Sequence, residues 1–380
     1  MIDPLEHIRE LAEVIGPRPS TGEGERKAAA YVGKHLEKFG YLVKEEPFRS
    51  PDSFSQVYIP IYVMALMGFV ADALGSPAFA LLFTGVAFVC FVGENTTSLK
   101  LVSAVIPKAK SLNVVGRLAP RELPRRRLVL VAHLDSTRSG LMWHPRLVKS
   151  FRATFLILAA CLAVLPVLVI LEVATQKRFF FPLAIPFTIY VAYALFLLIH
   201  REIFFRHVAG ANDNASGVAV MLTMAEVMAL DAPAETEVLI VATGCEEAGT
   251  VGMQSFLRRH KDELARSWII NIDNVGAGDV TFTTREGMLL PHRTGRELGE
   301  TAAKVAKLPG IRVTGAPFRT MSNDTEPALL RGLEAITVIA TRDGVPVNWH
   351  WKTDTLENIE PDSVDMAYRF VEQVVRRLIA

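Results

Sequence analysis

Cysteine is scarce, with three in 380 residues, at positions 90, 161 and 245. Cys90 and Cys161 lie inside long apolar runs and Cys245 stands beside two glutamates, so a disulfide framework is not expected. Net charge is almost absent too: 41 Lys and Arg stand against 40 Asp and Glu. No basic stripe with interleaved aromatics is present, which argues against a nucleic-acid partner. There is no internal repeat and no low-complexity linker. The opening Met-Ile-Asp-Pro-Leu-Glu-His is not followed by the basic and apolar regions of a secretory signal. What the chain has in excess is apolar character, 50% of its residues, unevenly spread.

The excess is concentrated in two pairs of runs. Residues 57–73 and 77–93 are almost purely apolar around the interruption Asp72-Ala73-Leu74-Gly75-Ser76, and residues 155–174 and 179–199 flank Thr175-Gln176-Lys177-Arg178. Arms of about 17 to 20 residues suit membrane-crossing helices. Two transmembrane helical hairpins are therefore expected, at 56–107 and 146–204, interrupting a discontinuous domain of residues 1–55, 108–145 and 205–380. Arg146, Lys149, Arg152, Arg201 and Arg206 flank the second hairpin on the domain side, against Lys177 and Arg178 at its tip. By the positive-inside rule this places the domain in the cytoplasm. The chain reads as an integral multi-pass membrane protein with the lipid bilayer as a partner. Its site is expected to open toward the membrane and to take apolar or membrane-derived peptides.

Outside these runs, strand and helix patterns alternate. Helical spacing covers 5–15 and 21–39, separated by Gly-Pro-Arg-Pro, and 41–48 reads as an edge strand stopped by Pro47. Residues 112–118 and 128–133 read as antiparallel neighbouring strands. Strands are expected at 236–243, 268–272, 280–284, 311–313 and 335–340, with helices from 216, 252, 294 and 361. The fold class is α/β: a mixed, mainly parallel sheet sandwiched by helices.

Five separated stretches place acidic or metal-competent side chains at or after strand ends: His133-Leu134-Asp135, Asp213 within Gly210-Ala-Asn-Asp-Asn-Ala-Ser-Gly217, Cys245-Glu246-Glu247, Ile272-Asp273-Asn274 and Trp349-His350-Trp351. Each alone has a plainer explanation, such as a turn, a helix cap or a solvated helix start. In an open α/β sheet, however, the carboxyl ends of the strands meet at one crevice, so these side chains can converge. Two histidines and three carboxylates suit a pair of divalent ions.

This combination resembles the zinc peptidases of metallopeptidase family twenty-eight, the group of leucyl aminopeptidases, aminopeptidase Y and glutamate carboxypeptidase. The resemblance covers residues 20–55, 110–140 and 208–378. It implies a zinc-exopeptidase fold and two Zn²⁺ ions per chain. It further implies Asp213 bridging both ions, His133 and Asp273 completing one, Glu247 and His350 the other, and Glu246 as general base. Asp135 would orient His133. A cis peptide bond after Asp213 is implied as well. Some relatives carry a tyrosine oxyanion donor shortly before the late aspartate, matched here by Asp324. Phe318-Arg319-Thr320-Met321 has none, which leaves Arg319 as the candidate. The implied activity is that of a membrane-embedded zinc-dependent exopeptidase, an aminopeptidase acting on a peptide substrate. The rivals are a glutaminyl-cyclase-like zinc acyltransferase and an inactive receptor or scaffold of the same fold. A transporter is disfavoured by the near absence of charge at the middle of the apolar runs.

Overall fold

A computed structural model describes residues 3–96 and 99–380. Nine strands form one sheet: β1 (Leu42–Ser50), β2 (Ala109–Leu118), β3 (Arg126–His133), β4 (Thr236–Thr243), β5 (Ser267–Asp273), β6 (Asp279–Glu286), β7 (His292–Arg293), β8 (Thr314–Phe318) and β9 (Glu334–Thr341). Every residue of β4 and β5 is buried. Strands apolar on both faces need cover on both sides, which parallel sheets with flanking helices provide. The order is β1-β2-β4-β3-β5-β9-β6-β7, with β8 paired to β6. β3 runs parallel to both β4 and β5, and β5 parallel to β9.

Alternate residues of the central strands face opposite cores. Leu128 and Leu130 of β3 and Val238 and Ile240 of β4 pack with Val32 and Leu36 of the helix Glu23–Lys38, with Met221 and Met224 of Gly217–Leu230, and with Phe370 and Val374 of Pro361–Ile379. Val129, Val131, Leu239 and Val241 turn the other way, onto Met253, Phe256 and Leu257 of the helix Val251–Arg259.

Three sequence expectations need correction. β2 and β3 are not neighbours: β2 pairs with β1 and, antiparallel, with β4, which inserts between β2 and β3. The physical reason is burial, since apolar β3 takes a covered parallel partner on each side and the more exposed β2 lies nearer the edge. Pro47 does not stop β1, which runs to Ser50 at the end of the sheet, where a missing N–H costs no ladder bond. Residues 311–313 are not a strand; the strand there is Thr314–Phe318.

The chain divides into two units: Met1–Asp52, Lys108–Ser139 and His207–Ala380 carry the sheet, and Ser53–Pro107 with Gly140–Arg206 form the second. In the second unit the helices Phe54–Ala73, Pro77–Asn95, Phe151–Thr175 and Phe180–Phe204 pack against one another. Each is long and apolar enough to cross a membrane by length and composition. Asp72 and Glu172 share one cation, Arg178, which reaches Glu172 at 2.6 Å and Asp72 at 3.3 Å. Buried Arg201 donates to the hydroxyls of Ser53 and Ser55, each at 3.1 Å.

Candidate metal centre

Because β4, β3 and β5 lie side by side and parallel, their carboxyl ends present His133, the Glu246-Glu247 turn and Asp273 along one rim. Asp213 comes from the turn 211–216 that leads into the helix Gly217–Leu230, and His350 from the loop after β9. These residues meet in two buried triads that share Asp213: His133, Asp213 and Asp273, and Asp213, Glu247 and His350.

His133 Nε2 lies 3.1 Å from Asp213 Oδ1 and 3.4 Å from Asp273 Oδ1. His350 Nε2 lies 3.0 Å from Asp213 Oδ2 and 3.4 Å from Glu247 Oε1. One ring nitrogen facing two carboxylates cannot satisfy both with a single N–H. A tetrahedral ion bound at about 2.0–2.1 Å separates its ligands by about 3.3 Å, which matches these spacings. Neither carboxylate oxygen of buried Glu247 accepts a well-formed hydrogen bond, although His350 Nε2 stands near Oε1. The donor set and its unmet acceptors therefore fit two zinc ions bridged by Asp213.

Electrostatics agree. Burial alone would raise the Asp213 carboxyl, yet His133 and His350 hold it well below the usual carboxylate range. Burial lowers His350, but Glu247 and Asp213 outweigh it and push the ring up to about 9. Burial raises Glu247 and Glu246, partly opposed by the nearby histidines. Concentrated positive charge is what this carboxylate cluster demands.

His133 Nδ1 lies 3.0 Å from the main-chain carbonyl oxygen of Asp135. A carbonyl only accepts, so Nδ1 carries the hydrogen and the Nε2 lone pair is turned toward the carboxylates. The Asp135 side chain also stands near that ring nitrogen, with Oδ1 3.5 Å from His133 Nδ1, and it accepts from the main-chain N–H groups of Glu246 at 3.0 Å and Glu247 at 3.1 Å and from Ser20 Oγ at 2.6 Å. The Asp213–Asn214 peptide bond is cis, as the resemblance implies.

A cleft of about 260 Å³ is lined by His133, Asp213, Glu246, Asp273 and His350, with Phe318, Met321, Ile339 and Trp349 supplying apolar wall. Glu246 faces it but belongs to neither triad. Arg319 is half-buried beside this wall; Phe318 and Met321 line the cleft and Arg319 does not.

Several supports act through main-chain groups, among them Asp354, whose stretch Asp354-Thr355-Leu356-Glu357-Asn358-Ile359 belongs to the family resemblance. Asp354 accepts from the main-chain N–H of Asn212 at 2.6 Å and of Asp213 at 3.2 Å. Asn212 and Asn214, read only as turn formers, tie the Asp213 turn to the segment after β5 through Gly276 N and Asn274 N. Arg18, from the Gly-Pro-Arg-Pro break, is 1% exposed and donates to the carbonyls of Leu134 at 2.7 Å, Leu11 at 2.8 Å, Gly16 at 3.1 Å, Ala209 at 2.7 Å and Gly210 at 2.8 Å. Gly210 has φ +66° there, and a Cβ would stand 2.5 Å from Asp213 O and 2.8 Å from Arg18 Nη2. Because a buried carbonyl stripped of its donor costs about 1–3 kcal/mol, Arg18→Ala should destabilise the protein by about 3 kcal/mol or more. Arg18→Lys, with fewer donors and no planar fork, should recover only part of this in urea unfolding.

The model of peptidase family M28 matches residues 196–375. The alkaline phosphatase isozyme conversion protein of Escherichia coli K12 is 30% identical over 151 residues, 37% of this chain and 41% of that protein. Aminopeptidase YwaD of Bacillus subtilis is 28% identical over 176 residues, 44% of this chain and 37% of that protein. The chain thus spans about two fifths of the length of the curated relatives it matches. Among solved structures, a zinc aminopeptidase from Bacillus subtilis superposes with a TM-score of 0.61 at 17% identity, covering 99% of this chain and 94% of that one. A glutaminyl cyclase from Bacteroides thetaiotaomicron reaches 0.59 at 16% identity, covering 98% and 96%.

These matches correct the membrane reading. The fold matched over 99% of the chain is that of zinc-aminopeptidase structures, so the fold class is the zinc-exopeptidase α/β sandwich, and the matches give no support to inserted transmembrane hairpins. The multi-pass localisation, the bilayer as a partner, the membrane-embedded enzyme and the preference for membrane-derived peptides fall with it. The physical reason is that length and apolar composition are necessary for spanning but do not distinguish a span from a helix that packs on protein neighbours. The shared fold is that of zinc-aminopeptidase structures, the M28 model matches residues 196–375, and the two triads joined at Asp213 are consistent with a binuclear zinc site.

Proposed function

We propose that this chain is a zinc-dependent exopeptidase of the aminopeptidase type, with His133, Asp213, Asp273, Glu247 and His350 as metal ligands and Glu246 as general base. The observation that carries the reading is the pair of triads sharing Asp213, with the Glu246 carboxylate facing the same cleft. Two zinc ions held there would supply Lewis acidity for the peptide carbonyl and for the attacking water. Glu246 takes a proton from that water and returns it to the leaving amine, so that the C–N bond breaks and a new C–O bond remains. Asp135 holds the main chain of Glu246 and Glu247, and through its carbonyl orients His133. A small cleft walled by Phe318, Met321 and Trp349 favours trimming of a chain end over cutting within a long substrate.

Dialysis against a chelator should lower hydrolysis of aminoacyl reporters by about a hundredfold or more, and zinc should restore it. N-acetylated reporters should remain uncut. Cyclisation of an N-terminal glutaminyl reporter without release of an amino acid would instead favour the glutaminyl-cyclase reading, and no turnover of either kind would favour the scaffold.

A further inference from the structure

Glu25 lies on the helix Glu23–Lys38, far from the metal ligands in sequence, and is 0% exposed. Its Oε1 accepts from the main-chain N–H of Cys245 at 2.7 Å, and its Oε2 from the main-chain N–H of Thr21 at 2.9 Å and from Ser111 Oγ at 2.7 Å. Cys245 immediately precedes Glu246-Glu247 and has φ +53°, a left-handed conformation unusual for a residue with a Cβ.

The neighbouring bonds complete a pattern. Asn113 Oδ1 accepts from Gly244 N at 3.1 Å, Glu25 from Cys245 N, and Asp135 from Glu246 N and Glu247 N. Four consecutive main-chain N–H groups are thus received by three buried side chains, two of them carboxylates. A run of N–H groups converging on anions is a nest, and here the anions belong to the protein. Gly244 is required at its start, because a Cβ would lie 2.7 Å from Leu112 O and 2.9 Å from Glu25 Oε1. The segment lies between β4 and the helix Val251–Arg259, so regular secondary structure does not fix its course.

We propose that Glu25 is a positioning residue for the peptidase site: by holding Cys245 it fixes the crank that sends Glu246 into the cleft and Glu247 into the second triad. Adjacent side chains with two different tasks tolerate little rotation of the backbone between them. A displacement near 1 Å can cost about a hundredfold in rate. Asp135 alone grips the two glutamates from one side. Glu25 sets the residue before them, and with it the angle at which they leave the sheet.

The proposal rests on the peptidase reading, and the test separates the two. In Glu25→Gln, one arm of the side chain becomes a donor facing a main-chain donor, Cys245 N–H if it replaces Oε1 or Thr21 N–H if it replaces Oε2. Expected are a tenfold to hundredfold lower kcat, KM within about twofold, two zinc ions retained per chain, and hydrogen exchange at least tenfold faster at the amides of 245–247. In an Glu246→Gln background, Glu25→Gln should cost less than about twofold further, because there is no base left to aim. A purely structural role would carry its full cost into that background. Ser111→Ala, which removes one donor to Glu25, should show a milder form of the same pattern and decides the matter should Glu25→Gln not fold. Unchanged kcat, a fall in kcat without faster exchange, or a fall proportional to lost zinc overturns the proposal. Absence of turnover in the wild-type protein defeats the peptidase reading, whereas exchange at 245–247 still reports whether Glu25 holds the segment.

Discussion

Glu246→Gln should bind two zinc ions per chain, as the wild type does, and turn over about 10²- to 10⁴-fold more slowly, the usual worth of a positioned general base. Glu246 lines the cleft beside His133, Asp213 and Asp273 yet takes no part in either triad. Glutamine preserves its size and removes only the ability to accept a proton. The main-chain bond from Glu246 N to Asp135 does not depend on the side chain, so the course of the segment should persist. Zinc content by elemental analysis, measured beside steady-state kinetics, makes the distinction. If zinc falls with activity and excess zinc restores the rate, Glu246 is a ligand and the roles of the two glutamates are reversed.

Asp213→Asn should be the more damaging change, because it acts on both ions at once. The two Asp213 oxygens face different histidines, Oδ1 toward His133 and Oδ2 toward His350. Removing its charge leaves each triad with one carboxylate and one imidazole, too few for a stable zinc site. Zinc content should fall from two per chain to well below one, and activity by about 10³-fold or more. His350→Ala should spare the ion held by His133 and Asp273 and leave about one. Zinc-dependent stabilisation gives a second measure, since an ion bound only by the folded protein raises its unfolding midpoint. That rise should vanish in Asp213→Asn and be halved or less in His350→Ala. A stoichiometry of one in both variants would mean that Asp213 is not shared.

Much of this site is legible in the sequence because its chemistry sits at strand ends. His133 closes β3, Asp273 closes β5, and Glu246-Glu247 follow β4, so recognising apolar strands also locates the rim. Periodicity says which segments are strands, but not which strand lies beside which. β2 and β3 are consecutive along the sheet-forming part of the chain, yet β4 separates them. Pairing is decided by the burial of whole faces, a quantity distributed over the sheet.

The supports of the site were invisible for a related reason. Arg18 and Glu25 look like ordinary surface charges in the sequence, and each is at most 1% exposed in the folded chain. Each is buried because its partners are main-chain groups of distant turns, and a backbone N–H or carbonyl has the same identity at every position. The four apolar helices show the opposite limit. Their composition is plain in the sequence, but composition describes a helix without its neighbours. The sequence by itself determined the class of fold, the metal-binding residue types and their order along the chain, since these follow from local pattern and side-chain chemistry. Tertiary structure alone decided the sheet order and the grip of Glu25 and Asp135 on the Glu246-Glu247 turn, because each depends on which distant main-chain groups come within hydrogen-bonding reach.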